Sequence, residues 1–335
     1  MNRTLSLFYG LVDLTSNDYF GFATSLATQI SVDRIGATGS RLLTGNSPLC
    51  QDLEEKLATF HRAESCLIYN SGYTANLGLL AALGTQEVTF IYDIEVHASM
   101  IDGMRLSKAT TVPFRHNDLN SLERRLRKST SSAFVLVESI YSISGDLAPL
   151  QEIAALCLQY GAALIVDEAH ATGVCGPQGV GRVAELSLES LTFARVHTFS
   201  KALGCHGACV LGSLTLKKYL INFSRPFIYT TALPLPLLAW IWAGYEKLQQ
   251  EAAWHQTRLR TLIAYFQTRL GIQGPLTPIQ PIYTAEAQKY SQKLRDLGLD
   301  VRAIFPPTTK RACLRVVLHS FNQEEEIDHL VKVLQ

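Results

Sequence analysis

Residues 163–170 read ALIVDEAH, a run that is apolar at every position from Ala163 to Val166 and then turns abruptly polar. A strand with one wet face would alternate, so this pattern suits a strand covered by helices on both faces. Four further runs have the same character: VTFIYD (88–93), AFVLVES (133–139), ARVHTFS (194–200) and ACVLGS (208–213). Helical patterns accompany them. Pro48 to His61 sets Leu49, Leu53, Leu57 and Phe60 on one face, with Pro48 near the first turn. Pro149 to Tyr160 does the same with Leu150, Ile153, Ala154 and Cys157, and Gly161 follows as a stop. The alternation predicts an α/β fold, a three-layer domain with a mostly parallel sheet.

The pattern changes after about residue 225. Pro234 to Leu270 reads as one long helix or two joined ones, ended by Gly271, and GPLTPIQP then supplies prolines and turns. The segments VRAIFPP and CLRVVLH and a closing helix near EEEIDHLVKVLQ predict a smaller C-terminal α+β domain. The expected division is an N-terminal segment 1–35, a large domain 36–230, and a connecting helix with a small domain 231–335.

Composition narrows the function. The chain has 335 residues, 47% apolar and 18% charged, with a formal net charge of +1. Such a balance offers no long-range attraction for nucleic acid or an anionic membrane. The most apolar window, ALPLPLLAWIWAG (232–244), contains two prolines and is too short to span a bilayer. The N-terminal MNRTLSLFYGLVDL is broken by Asp13 and does not read as a signal peptide. Seven scattered cysteines without a Cys-x-x-Cys suit free thiols in a reducing cytoplasm. Cys205-His206-x-x-Cys209 has no second pair to complete a metal site, so no metal is expected.

In a sheet of this kind ligands gather at the carboxyl ends of the strands. Those ends carry Asn70-Ser71-Gly72-Tyr73, Asp93 with His97 beyond it, Glu138 with Ser142, Asp167 with His170, and Thr198 with Lys201. DEAH is also the magnesium-binding box of a helicase family, a reading that needs a Gly-Lys phosphate loop upstream. The chain contains no Gly-Lys pair. The other reading makes Asp167 the partner of a pyridine nitrogen, kept protonated so that the ring draws charge from a carbanion. Lys201, set among hydroxyl groups and a glycine in HTFSKALG, supplies an amine for an aldehyde. The NSGYTANLG segment offers backbone N–H groups at a helix start for a phosphate. An acid, a lysine, a phosphate cradle and a ring-stacking histidine together describe a site for pyridoxal 5'-phosphate.

Eight segments, SNDYFG, GATGSRLLTGN, NSGYTAN, HASMIDG, RHND, ESIYSISGD, DEAHATGVCGPQGVG and TFSKALG, follow the order and spacing of the α-oxoamine synthases. The chain resembles this family over nearly its whole length. The resemblance implies a fold-type I pyridoxal phosphate enzyme, a cytoplasmic homodimer with active sites shared between subunits. By motif, Lys201 would form the Schiff base, Asp167 would meet the pyridine nitrogen, His97 would stack on the ring, and His170 would approach the ring hydroxyl. Ser71, Gly72, Tyr73 and Thr198 would meet the phosphate, with Thr230 or Thr231 reaching in from the other subunit. Glu138 and Ser142 would join the cofactor pocket, while Asn17 and Arg315 would bind substrate carboxylate.

Within the family the segments look most like the branch that serves biotin synthesis. That branch joins L-alanine to a pimeloyl thioester, carried on coenzyme A or a carrier protein, with release of carbon dioxide and the free thiol. The alternatives are a sister activity (glycine C-acetyltransferase, 5-aminolevulinate synthase or a serine-using long-chain synthase) and, from another class, a non-catalytic partner subunit. A partner subunit of that kind can lose the lysine, and this chain keeps Lys201. The chain departs from the family pattern in a shorter stretch before SNDYFG, a short stretch between Gly21 and Gly36, and Cys50 where relatives often have histidine. These departures bear on recognition of the acyl donor and leave the cofactor chemistry untouched.

Overall fold

A computed structural model describes residues 10–26 and 32–335. The readings made above on residues 1–9 and 27–31 lie outside the described residues. The chain divides in space into two compact units, a larger one within 22–141 and 147–253 and a smaller one within 1–21, 142–146 and 254–335.

The larger unit is built on a seven-stranded sheet. Its strands in chain order are β1 Ser65–Tyr69, β2 Val88–Asp93, β3 Thr110–Phe114, β4 Ser132–Glu138, β5 Ala163–Asp167, β6 Ala194–Thr198 and β7 Ala208–Gly212. The spatial order is β1-β7-β6-β5-β4-β2-β3. All neighbours are parallel except β7, which runs against both β1 and β6. The expected mostly parallel sheet is therefore present.

The uninterrupted apolar runs have a direct cause. Phe90, Leu136 and Ile165 enter one hydrophobic core, while their neighbours Ile91, Val135, Val137, Leu164 and Val166 enter a second. Successive side chains alternate between faces, and both faces are buried, so both sets are apolar. The edge strand β3 is different: it starts exposed and contains Pro113, which an edge tolerates because it has no partner on one side to receive an N–H.

The helices begin and end where their local chemistry allows. Helix α1, Pro48–Phe60, starts with Ser47 accepting from the Cys50 N–H and with proline in the first turn. Helix α2, Gly72–Leu83, starts with a reciprocal capping box between Ser71 and Thr74. Helix α3, Ala98–Leu106, is capped by the imidazole of His97. Helix α4, Leu150–Tyr160, ends at Gly161, whose φ of 65° places it in the left-handed region.

Helix α5, Leu235–Leu270, is continuous and stops before Gly271. The smaller unit carries an antiparallel sheet of β8 Ile279–Tyr283, β9 Arg302–Ile304 and β10 Cys313–Val317, in the order β9-β10-β8. Helix α6, Glu324–Leu334, closes the chain.

Candidate active site

The parallel strands of the larger unit deliver their last residues to one edge of the sheet. Asp167 ends β5 and lies in register with Glu138 at the end of β4, and both are buried. Thr198 ends β6, and the turn that follows holds Lys201, whose carbonyl accepts from the Gly204 N–H at 2.8 Å. Lys201 is half-buried, and His170 is buried in the turn after β5.

Both oxygens of the Asp167 carboxylate are held. Oδ1 accepts from the Ala169 N–H at 2.8 Å and Oδ2 from Asn76 Nδ2 at 2.7 Å. The two donors fix the orientation of the carboxylate. Burial lowers the pKa of His97, the negative charge of Asp167 opposes that, and the positive charge of Lys201 lowers it further. The imidazole therefore feels the acid and the amine together, and stays neutral at ordinary pH.

A cradle lies beside this trio. Ser71, Gly72 and Tyr73 open helix α2, so its first N–H groups face outward at the positive end of the helix dipole. A Cβ built on Gly72 would sit 2.4 Å from Thr198 Cγ2. Only glycine lets the helix start approach the end of β6 so closely. Tyr73 is exposed, presents its ring edge-on to His97 at 6.3 Å between centroids, and donates its hydroxyl to Asp102. In the segment after helix Arg225–Ile228, Thr230 is half-buried and Thr231 exposed, and the Thr231 carbonyl accepts from Asn70 Nδ2 at 3.0 Å. The donor set fits pyridoxal phosphate: an amine for its aldehyde, a carboxylate for its ring nitrogen, an imidazole for its face, and N–H and hydroxyl groups for its phosphate.

Within the smaller unit, Asn17, Ser142 and Arg315 come together. Arg315 donates from Nη2 to Asn17 Oδ1 at 3.0 Å and from Nε to the Ser142 carbonyl at 2.8 Å. Burial draws the Arg315 pKa down and pushes that of the adjacent Tyr19 up. The alternative of an exposed arginine on an edge strand does not hold, because β10 is the middle strand of its sheet. Cys50, tied above to recognition of the acyl donor, is buried in helix α1, and burial pushes its thiol up to about 12.

Sequence reasoning missed two residues of this site, Asn76 and Ser99. Asn76 stands on the buried side of α2 with Ala75, Leu79 and Leu80, and an amide among apolar residues one turn into a helix is the signal that could have drawn attention to it.

Comparison with known proteins agrees with this geometry. The family described as aminotransferase class I and II matches residues 9–334. The chain belongs to that family. Within it, the chain is 38% identical to the 8-amino-7-oxononanoate synthase of Emericella nidulans, over 96% of this chain and 88% of the relative. Among solved structures, Sphingomonas wittichii serine palmitoyltransferase superposes with a TM-score of 0.85 at 30% identity, covering 89% of this chain and 78% of the other. The 8-amino-7-oxononanoate synthase of Francisella tularensis gives 0.83 at 26% identity, covering 97% and 96%. The chain is a pyridoxal-phosphate-dependent transferase of fold type I, most like the 8-amino-7-oxononanoate synthases among the α-oxoamine synthases.

Proposed function

We propose that this enzyme condenses L-alanine with a pimeloyl thioester to give 8-amino-7-oxononanoate, carbon dioxide and the free thiol, a step of biotin synthesis. The observation that carries the reading is the joint placement of Asp167, Lys201 and His97 at one edge of the sheet, with Gly72 against Thr198 beside them. The named relatives supply the choice of substrates.

Bound there, pyridoxal phosphate supplies an electron sink for charge that develops at the amino acid's α-carbon. The chain's own residues do the rest. The Lys201 amine would hold the aldehyde carbon, and its Nζ would take the substrate's α-proton. A lysine amine serves both tasks, as a nucleophile toward the aldehyde and as a base. Asp167 would accept the N–H of the ring and keep that proton in place. His97 would cover the ring and exclude water, and His170 would donate toward the ring hydroxyl. The α2 N-terminus, Ser71, Tyr73 and Thr198 would hold the phosphate, with Glu138 joining the pocket and Thr230 or Thr231 contributed by a second subunit of a homodimer. Asn17 and Arg315 bind the substrate carboxylate. The reading places the enzyme in the cytoplasm, and among the described residues no helix is long and apolar enough to cross a membrane. The sequential division into 1–35, 36–230 and 231–335 belongs to the same proposal.

A second reading is a sister synthase that takes serine, favoured by the likeness to serine palmitoyltransferase. Carbon dioxide release measured with alanine, glycine and serine against pimeloyl, acetyl, succinyl and palmitoyl thioesters separates the two. Alanine with the pimeloyl donor is expected to be fastest. Preference for serine with the palmitoyl donor would replace the proposal with the second reading.

A further inference from the structure

We propose that Asn76 and Ser99 are positioning residues that lock the His97 imidazole in its Nε2–H tautomer, through a one-way run of hydrogen bonds beginning at the Asp167 carboxylate. The catalytic meaning of the lock rests on the reading of Asp167 and His97 given above. The bonds themselves lie wholly within the larger unit.

The run can be followed atom by atom. Asn76 is buried in α2, and its Nδ2 lies 2.7 Å from Asp167 Oδ2 and 3.0 Å from Ser99 Oγ. An ionised carboxylate only accepts, so the amide must turn its NH2 toward Asp167; the flipped amide would set oxygen against oxygen. Both Asn76 N–H bonds are then committed, one to Asp167 and one to Ser99. Ser99 Oγ is thereby an acceptor from Asn76, and its own proton has to go elsewhere. The atom in reach is His97 Nδ1, at 2.8 Å.

A second donor converges on the same nitrogen. The Ser99 backbone N–H points at His97 Nδ1 at 3.2 Å, the bond by which His97 caps helix α3. A protonated Nδ1 would face this N–H proton to proton. Nδ1 must therefore be the lone-pair nitrogen, and the proton of the neutral ring sits on Nε2. Turning the ring over would set a carbon where two donors converge, so the cap fixes ring orientation as well as tautomer. The lowered pKa of His97 fits this arrangement, since neither donor can serve an imidazolium.

The consequence is specific. His97 presents a fixed N–H donor and no acceptor to whatever lies against the exposed side of its ring. That suits a group gaining negative charge, such as the carbonyl oxygen of an acyl group under attack or a carboxylate about to leave. It would not suit a role for His97 as a general base. Asn76 acts on the acid and the imidazole at once, so the orientation of each depends on the other.

The test reads the tautomer directly. The full-length enzyme loaded with pyridoxal phosphate is labelled with 15N at histidine, and the ring nitrogens of His97 are identified by the resonances lost in His97→Gln. In the wild type, Nδ1 should appear unprotonated and Nε2 protonated. Ser99→Ala removes the hydroxyl donor and should lower the ratio of Nε2–H to Nδ1–H about five-fold, the equivalent of one net hydrogen bond of about 1 kcal/mol. Ser99→Thr restores the hydroxyl and should restore the ratio, which a merely structural defect would not do. A wild-type His97 protonated on Nδ1 overturns the proposal, and that reading needs no variant to fold. An unchanged ratio in folded Ser99→Ala overturns it equally. The measurement requires no turnover, so it stands or falls apart from whether alanine and a pimeloyl thioester are the substrates.

Discussion

Asp167 and Glu168 are adjacent in sequence, both acidic and both buried, yet they serve opposite sides of the central sheet. Asp167 is bonded from helix α2, on the side of Ile165 and Leu79. Glu168 accepts from the backbone N–H groups of Arg182 at 2.6 Å and Val183 at 3.2 Å, on the side of Val166 and Val183. Beyond it lies a polar cluster with no opening. His61 donates from Nδ1 to the Val180 carbonyl and accepts on Nε2 from the Tyr245 hydroxyl, both at 2.9 Å, and its ring centre is 4.0 Å from that of His197. His197 in turn shares a 2.9 Å bond with Thr172, and Arg195 is buried nearby.

The two clusters hold the same kinds of groups, so buried polarity does not by itself mark a site. What separates them is convergence at the ends of parallel strands, together with an amine that stays half-buried. On the Asp167 side, groups from β5, the turn after β6, α2 and the start of α3 converge while Lys201 stays half-buried and His97 exposed. On the Glu168 side, the groups pack against one another and are shut off from solvent, although His197 Nε2 and Arg195 Nη1 have no hydrogen-bond partner there. One side should govern chemistry and the other should govern stability.

The largest effect is expected at Lys201. Lys201→Ala removes both the amine that holds the cofactor and the base, and should lower turnover by more than about 10⁴-fold while abolishing the yellow colour of the lysine-bound cofactor. Its unfolding midpoint in urea should stay that of the cofactor-free wild type. Colour and turnover kept by this variant would remove the distinction between the two sides.

The mirror of that test is Glu168→Ala. It strips the acceptor from two backbone N–H groups, at about 1–3 kcal/mol each, and leaves the Arg195 charge without its nearest compensation. Urea unfolding should show the loss, while turnover per folded molecule at low temperature should hold. A variant with wild-type stability and impaired turnover would place Glu168 in the chemistry instead.

Asp167→Asn should behave the other way round. Losing the charge-assisted bond to the ring nitrogen costs about 1.5–3 kcal/mol, roughly 10- to 160-fold in rate, and loss of the electron sink adds to it. Exchange of the alanine α-proton with solvent deuterium reads that step alone. Exchange at the wild-type rate would mean that Asp167 does not face the ring.

Much of this contrast was legible in the sequence. ALIVDEAH announces a strand buried on both faces, and strand alternation alone sends Asp167 and Glu168 to opposite sides. Lys201 and Gly72 could be picked out because small residues and hydroxyls surround them in short, local motifs. The direction of β7 could not be read, since an apolar run is the same in either direction and its reversal depends on the loop between Thr198 and Ala208. Nor could the middle position of β10, which fixes the setting of Arg315, because strand order is decided by partners distant in sequence. The Asn76–Ser99–His97 bonds depend on rotamers on two helices, and the spacing of residues carries no record of those.

The smallest expected effect concerns pH and belongs to the closed side. Burial lowers the His61 pKa to about 3, the Val180 carbonyl opposes this, and the charge of Arg195 adds to it. The unfolded value is about 6.5. A base with a depressed folded pKa contributes stability that is complete above 6.5 and is lost as pH falls toward 3. At pH 5, 1.5 units below the unfolded value, His61 alone should cost about 2 kcal/mol. His197 is shifted in the same direction by burial and by the neighbouring charges, and adds to the loss. Glu168 opposes them. Burial raises its pKa to about 7, so its contribution is full below about 4.5 and is lost as pH rises through 7. Acidification from pH 7 to 5 therefore returns about 2 kcal/mol through Glu168. Two histidines against one glutamate leave a net loss, and unfolding in urea at pH 7, 6 and 5 should show it. Glu168→Gln removes the opposing group, and its stability should fall with acid by about 2 kcal/mol more than the wild type over the same range. A wild type that gains stability toward pH 5 would mean that the two histidines are not held neutral by their burial, and a Glu168→Gln profile parallel to it would mean that burial does not raise the Glu168 pKa; either way the closed cluster would lose the property that sets it apart from the site.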